Sequence, residues 1–440
     1  MSLLGCLVFR CLHVYGDPVH TEPTCLSPGA DYRICSLCGK VITAQSYPAL
    51  DHVFGEWIVE TEPDLVSDGV ETAICERCGA VQTRAIPCLA EQFTDTLPRL
   101  EIIANATGVG VDSAVPCEFR CTSGNESVSG LLMLRYLPPE ERTPHDYASI
   151  VASSDRDASQ ASPQLIVFSK DNELYMRADH EDPLHIRAEA LAGLFLETAG
   201  VVGERYASLL TLPDGTGYFG TQIALYQNNT YLEPRFLALS PAAFCASHPA
   251  ITCAVYYDGG KAEEILGSGA EVLTAAFDAA ASGIFDAFDT DALAAYLVFR
   301  DAVRLNGALA DKLLFVCDDS GRWYPLPVIL ENALGIGGVN EGLCAADAAP
   351  LDTPSAVLDT FWSAVRTDLA PQLDTMRATL HSGVLSADAV SAKLRETADA
   401  FPADFAEQSR GAETEALKAR GGSIQNIIDW YRLRTESESR

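Results

Sequence analysis

The sequence predicts an α+β protein: two small cysteine-rich repeats, then a strand-rich stretch, then a stretch of helices. Three observations carry this expectation. Eight of the fourteen cysteines fall within the first 88 residues. Alternating apolar residues bounded by turn signals begin near residue 97, the pattern of strands. Apolar positions three and four apart dominate from about residue 262, the pattern of helices.

Residues 35–40 read CSLCGK and residues 75–80 read CERCGA. Aligned on itself, this region repeats every 39–40 residues: His13 matches His52, Gly16 matches Gly55, Gly29 matches Gly69, Cys35 and Cys38 match Cys75 and Cys78, and Pro48 matches Pro87. A unit this small buries too little apolar surface to fold alone, and a tetrahedral Zn²⁺ site can supply the missing free energy. C-x-x-C-G sets two thiolates on one tight turn, and its glycine permits the backbone that aims both sulfurs at one ion. In the first unit Cys25, Cys35 and Cys38 make a ligand set with His13 or His52 as the fourth, and spacing does not choose between the histidines. The second unit has Leu65 where the first has Cys25, and so reads as eroded. It keeps Cys75 and Cys78 with His52, and Cys88 is a further candidate; a Cys75–Cys78 disulfide is the competing reading. Four protein ligands leave no open position for water, so zinc here is expected to be structural.

The pattern H-x-[YF]-G-[DE]…E-P-T-C…C-x-x-C-G resembles short Cys/His zinc-ribbon-type repeats of bacterial surface-associated proteins. The resemblance implies spacer or interaction modules over residues 11–52 and 53–92, after an N-terminal segment of residues 1–10.

Formal net charge is −31 with a pI near 4.5, and the acidity is spread over both parts of the chain. Such a surface repels phosphate backbones and anionic head groups, which argues against nucleic-acid or membrane binding through a general basic face. No run approaches the roughly 18 apolar residues of a spanning helix. MSLLGCLVFRC at the start lacks the basic and long apolar regions of a signal peptide. It reads as an ordinary N-terminal segment or a start inside a longer reading frame.

Past residue 97 the elements follow in order. LPRLEIIANATG (97–108) and SGLLMLRYL (129–137) read as strands, and QLIVFSKDNELYMRA (164–178) as two short strands about a K-D-N turn. PLHIRAEALAGLFLETAG (183–200) is helical, with Gly200 as its stop. RYASLLTLPDGTGYFGTQIALYQ (205–227) reads as a hairpin about Asp214-Gly215. ASHPAIT, between Cys245 and Cys253, reads as a loop. AEEILGSGAEVLTAAFDAAAS and TDALAAYLVFRDAVRLNG are helical, the second with Thr290 as N-cap. LLFVCDDSGRWYPLPVI (313–329) is strand–turn–strand, and residues 354–440 form several helices.

These phrases, in this order, resemble the spore-coat protein H (CotH) kinase family over residues 97–440. LPRLEI is similar to its opening strand. ELYMRADHEDPLHIRAEALA keeps Asp182 and Arg187 of its W-x-L…D-x-x-L-x-R-N-x-L-A segment. LTLPDGTGYFGTQIALY resembles its hairpin, TDALAAYLVFRDAVRLNG the helix entering its catalytic loop, and residues 384–434 its closing helices. The resemblance implies a divergent protein-kinase-like two-lobed domain, with a β-rich N-lobe and a helical C-lobe.

Phosphoryl transfer needs a lysine on the nucleotide phosphates, a glutamate to hold it, carboxylate and amide ligands for metal ions, and an Asp near the acceptor hydroxyl. SPQLIVF (162–168), where the family places the lysine, has none, and Lys170 is the nearest. Tyr226 stands where the hairpin motif ends in Glu. NGALADKL keeps Asn306 but has Ala308 and Leu313 at the family's Asp and second Asn. PLPVILENALG leaves Glu331 and Asn332 as candidate metal ligands. Positioning and charge neutralisation are nearly the whole of this catalysis. The expectation is therefore a catalytically inactive pseudokinase, a structural or interaction module of a bacterial surface, spore or extracellular assembly with a protein partner of unknown identity. The alternative is an active atypical Ser/Thr kinase using ATP and Mg²⁺, with Asp301 or Asp311 joining Glu331 in a divergent metal site. Among the remaining features, His180 and His185 lack i, i+4 spacing. Cys117 with Cys121, and Cys245 with Cys253, are disulfides or separate thiols. GIGGVN (335–340) reads as a flexible turn.

Overall fold

A computed structural model describes residues 11–61, 63, 68–87, 96–103, 115–136, 150–154, 174–177, 182, 184–258, 260–305, 312–328, 330, 333–335, 343–346, 355–401 and 424–438. These residues are mixed α+β, with several sheets and nine helices among them. They divide into two compact units, one drawn from Met1–Pro63 and Asp68–Pro87, the other from Cys88–Arg440.

The first unit is the repeat pair. Each repeat folds as a three-stranded antiparallel sheet: β1 (Val19–Thr21), β2 (Gly29–Ile34) and β3 (Val41–Tyr47) in one, β4 (Ile58–Thr61), β5 (Gly69–Ile74) and β6 (Val81–Ile86) in the other. Val, Ile, Thr and Tyr populate these strands because branched and aromatic side chains fit a pleated surface. Gly29 and Gly69 are held to glycine by the same close approach. A Cβ there would lie 2.5 Å from the carbonyl oxygen of Thr21 or Thr61, and 2.6 Å from the nitrogen of Pro23 or Pro63. The described residues of this unit form no hydrophobic core. Its buried described residues are Gly29, Cys35, Pro63, Gly69, Ala73 and Cys75, whereas Leu37, Val41, Ile58 and Val81 are exposed.

The second unit opens with a seven-stranded closed barrel. Its strands are β7 (Arg99–Ile103), β8 (Val115–Ser123), β9 (Glu126–Tyr136), β10 (Ile150–Ser154), β11 (Leu174–Arg177), β12 (Thr221–Gln227) and β13 (Thr230–Leu239). They run around the barrel as β10-β11-β13-β12-β7-β8-β9, antiparallel except where β7 lies parallel to β12. Alternation along β8 sends Cys117, Phe119 and Cys121 inward, and closure leaves no unpaired strand edge. Helices α1 (Arg187–Val202) and α2 (Glu204–Ser208) lie between β11 and β12 in sequence.

The rest of this unit places a four-stranded sheet among helices. β14 (Ile251–Asp258), β15 (Lys261–Leu266), β16 (Leu313–Asp318) and β17 (Trp323–Pro327) align in the order β15-β14-β16-β17. The helices are α3 (Pro241–Ser247), α4 (Ala270–Ala280), α5 (Thr290–Val303), α6 (Ala356–Asp368), α7 (Ala370–His381), α8 (Ala387–Asp399) and α9 (Ile424–Glu438). Ser240, Asp289, Ser355 and Ser386 cap α3, α5, α6 and α8, each accepting from a backbone N–H three residues on. Every residue of β16 and β17 is buried, as a strand covered on both faces requires. Phe277, Phe288, Phe315 and Phe361 form one aromatic cluster, with ring centroids as close as 4.6 Å.

Several sequence expectations change. α1 runs through Gly200 to Val202, because Leu191, Leu194, Phe195 and Ala199 bury one face and outweigh the cost of an interior glycine. Asp289, not Thr290, caps α5: its carboxylate takes the Ala292 N–H at 2.9 Å. Asp214-Gly215 closes only a short loop, through Leu212 N–H to Thr216 O and Gly215 N–H to Leu212 O. The true hairpin is β12–β13, turning at Asn228 and Asn229 with φ of 48° and 64°, both in the left-handed region that a tight hairpin turn demands. Strands continue past residue 262, and ASHPAIT is the end of α3, a short turn and the start of β14. The first half of 164–178 lies outside the described residues.

Candidate metal centres

Each repeat builds the same knuckle. The Gly39 N–H donates to Cys35 O and the Gly79 N–H to Cys75 O, both at 2.8 Å. Gly39 and Gly79 share a φ of 73°, a conformation glycine adopts without penalty. Tyr15 bridges to Cys35 and Phe54 to Cys75, which brings the histidine two residues earlier over each knuckle. His13 Nδ1 lies 3.3 Å from Cys38 Sγ, and His52 Nδ1 lies 3.4 Å from Cys78 Sγ.

The fourth position departs from the sequence grouping. One cluster is Cys11, His13, Cys35 and Cys38; the other is Cys25, His52, Cys75 and Cys78. The ligand atoms of each cluster lie within 4.8 Å of one another. Cys11 Sγ is 3.9 Å from Cys35 Sγ, and Cys25 Sγ is 4.0 Å from Cys75 Sγ. Tetrahedral zinc with ordinary bond lengths sets sulfurs about 3.8 Å apart and sulfur and nitrogen about 3.6 Å apart. Both clusters have those dimensions, and either could hold a metal ion.

His13 therefore belongs to the first cluster and His52 to the second. Cys25 does not join Cys35 and Cys38. It sits in the loop between β1 and β2, which the Leu50 N–H, two residues before His52, holds by donating to Thr24 O at 2.9 Å, and its sulfur lies against Cys75 of the second repeat. The second cluster is thus a full set of four, and Leu65 marks no missing ligand. Cys11 completes the first cluster, and the sequence reading missed it. Its signal was a cysteine two residues before His13, where the second repeat has Leu50. Cys88 lies outside the described residues. Cys75 and Cys78 are free thiols in the structure, as are all the described cysteines.

Electrostatics divide each cluster. Burial acts to raise the Cys35 thiol, but the His13 ring and the backbone N–H groups of Leu37 and Cys38 outweigh it and bring it to about 6. Cys75 is lowered to about 6 in the same way, against burial, by His52 and the backbone around Arg77 and Cys78. Cys11 is pushed up to about 11, first by Cys38 and then by burial. Cys25 is pushed up to about 11 by burial and by Cys78 and Cys75.

In the second unit, Asp182 is fully buried and anchors the start of α1. Its carboxylate accepts from the backbone N–H of Leu184 (3.1 Å), Ile186 (2.8 Å) and Arg187 (2.7 Å), and from Arg187 Nη1 (2.5 Å). Tyr226 is buried beneath the Arg99 guanidinium, 3.6 Å from its ring centroid. Asp301 is gripped by Arg366 at 2.9 and 3.0 Å and touched by Arg300 at 3.3 Å. Leu313 is buried as the first residue of β16. Asn306, Glu331 and Asn332, with Lys170, Asp311 and His180, lie outside the described residues. No disulfide joins Cys117 to Cys121 or Cys245 to Cys253; burial raises Cys117 and Cys253 and pushes Cys245 up to about 12, which disfavours their thiolates.

No protein-family model matches the chain, and no curated protein matches it. Among the described residues, no helix is long and apolar enough to cross a membrane.

Proposed function

We propose that the N-terminal unit is a zinc-clipped structural module, joined to a CotH-type kinase-like domain that does not transfer phosphate and serves as an interaction or structural component. The observation that carries this reading is a pair of four-ligand Cys/His clusters in a unit whose described residues form no apolar core. Three thiols and an imidazole at tetrahedral spacing favour zinc over harder cations. Four protein ligands leave no open coordination position, so the ion stabilises and does not catalyse.

The kinase-like reading is supported by the order of elements. α1 falls between β11 and the β12–β13 hairpin, and the buried helix α5 precedes the β16–β17 hairpin. Leu313 pairs with Pro327, so β16 begins where β17 ends. The non-catalytic reading is supported by three positions. Asp301 is committed to arginines, Tyr226 is packed under Arg99 where the family has Glu, and Leu313 is buried in β16. A place at a bacterial surface or in a spore assembly follows from the resemblance alone.

Elemental analysis of the purified chain tests the first half, with two zinc ions per chain expected. A thermal-shift titration with millimolar ATP, with and without Mg²⁺ or Mn²⁺, tests the second. No shift is expected, and a metal-dependent rise of several degrees would overturn the non-catalytic reading.

A further inference from the structure

We propose that the two metal sites are wired in one direction, with the second site depending on the first through Cys25, while the first takes nothing from the second repeat. This rests on the reading that both clusters hold zinc. The ligands of the first site all come from residues 11–38, within one repeat. The second site draws three ligands from residues 52–78 and its fourth, Cys25, from the repeat before.

The β1–β2 hairpin makes the connection. Cys25 lies in the loop at one end of β2, and Cys35 follows directly at the other. A six-residue strand spans about 20 Å, so β2 runs like a strut from one ion to the next. Nothing apolar holds this strut in place, since Gly29 and Cys35 are the only buried residues among residues 11–52. Its order comes from the sheet hydrogen bonds, from the half-exposed contacts of Asp31 with His20 and Tyr47, and from whatever ion the first site holds. The Leu50–Thr24 hydrogen bond sets Cys25 beside the second site, but one exposed backbone contact does not hold the hairpin alone. The sequence carries the same logic. No repeat of this kind follows the second one before β7 begins, and there the position matching Cys25 is Leu65.

With the first site filled, Cys25 is a preplaced ligand. With it empty, in the limit where the β1–β2–β3 sheet also loosens, Cys25 is tethered to His52 only through the 26 residues between them. Closing a loop of that length weakens binding by up to about a hundredfold, from the three-halves-power dependence on length. The coupling is one-sided because no ligand travels the other way.

The test uses the full-length chain and competition with a chelating dye of known zinc affinity. Cys78→Ser leaves only the first site, and Cys38→Ser leaves only the second. Cys78→Ser should keep the first-site affinity of the wild type within about twofold, and adding Cys25→Ser should change nothing. Cys38→Ser should bind about ten- to a hundredfold more weakly than the remaining step of the wild type, and adding Cys25→Ser should weaken it further. Cys11→Ser, which breaks the first site at another ligand, should reproduce the Cys38→Ser loss. Equal losses in Cys38→Ser and Cys78→Ser, or a first site weakened by Cys25→Ser, would overturn the wiring while leaving two zinc ions in the wild type. A wild-type chain that takes up no zinc would overturn the underlying reading as well.

Discussion

Removing the Asp182 carboxylate should unseat α1 and with it much of the stability of the second unit. Asp182 and Arg187 have side chains with no solvent exposure, and the carboxylate serves four donors: three backbone N–H groups at the start of α1 and one Arg187 nitrogen. Arg187 Nε and Nη2 are buried with no hydrogen-bond partner among the described residues, so Asp182 is the guanidinium's sole acceptor there. Asp182→Ala therefore leaves a buried cation uncompensated and strips the helix start of its acceptor. Breaking a buried pair from one side costs about 3–5 kcal/mol. With a guanidinium m-value on the order of 4 kcal/mol/M, the unfolding midpoint should fall by about 1 M. Fluorescence suits the assay, because Trp323, Trp362 and Trp430 all lie in this unit. Arg187→Met in the Asp182→Ala background should recover part of the loss by removing the stranded charge. It cannot recover the capping bonds to Leu184, Ile186 and Arg187. A cost below about 1 kcal/mol, or a double variant less stable than the single one, would refute the reasoning.

Other consequences can be measured separately. Gly39→Ala adds a methyl group that meets nothing within 4 Å but forces a side chain into φ near 73°. The strain of about 1–2 kcal/mol should weaken first-site zinc binding about tenfold in the dye competition, with the second-site Gly79→Ala behaving alike. Phe277→Ala opens the centre of the aromatic cluster and should cost about 3–5 kcal/mol by denaturant titration. Asp318 is held below the usual carboxylate range: burial opposes this, but the Ser320 hydroxyl, the backbone N–H groups of Arg322 and Ser320, and Arg205 prevail. A depressed carboxylate stabilises in full above its unfolded value, about 3.9, and loses that contribution as pH falls through the folded value. Asp318→Asn should therefore be less stable than the wild type at pH 7, by about 1–3 kcal/mol, with the gap closing below about pH 4. A gap unchanged between pH 7 and pH 3 would rule this out.

How much of this could be read from the sequence depended on how local each signal was. The knuckles were legible because C-x-x-C-G needs only five residues and repeats at a constant offset. The partition of ligands was not, because Cys25 and Cys75 are fifty positions apart and self-alignment treats each repeat as closed. The β16–β17 hairpin was legible as two apolar runs about a D-D-S-G turn. The β12–β13 hairpin was misplaced because Asp-Gly is a stronger turn signal than Asn-Asn, and only tertiary pairing shows which turn joins long strands. β14 was missed because ASHPAIT, which holds its first two residues, was read as a loop bounded by Cys253. One partner, β15, follows across a tight turn after Asp258 and could have been found locally, whereas the other, β16, lies about sixty residues downstream. In the second unit, the wording of the Asp182–Arg187 segment carried a resemblance to a family. Only the buried hydrogen bonds gave those two residues a physical task.

The parallel pairing of β7 with β12 also sets a timetable for synthesis. Arg99 pairs with Ala224, so although β8 soon covers one edge of the barrel's opening strand, the other edge must wait for more than a hundred further residues before its neighbour exists. The barrel cannot close until β13 has left the ribosome, and such long-range pairing is slow to form. The repeats need only Cys11 to Ile86, all of it made earlier. A nascent chain can thus complete both Cys/His clusters while one edge of β7 stands open. The most exposed moment of this protein's birth falls between the two, when the apolar strands of an unfinished barrel have no edge to meet.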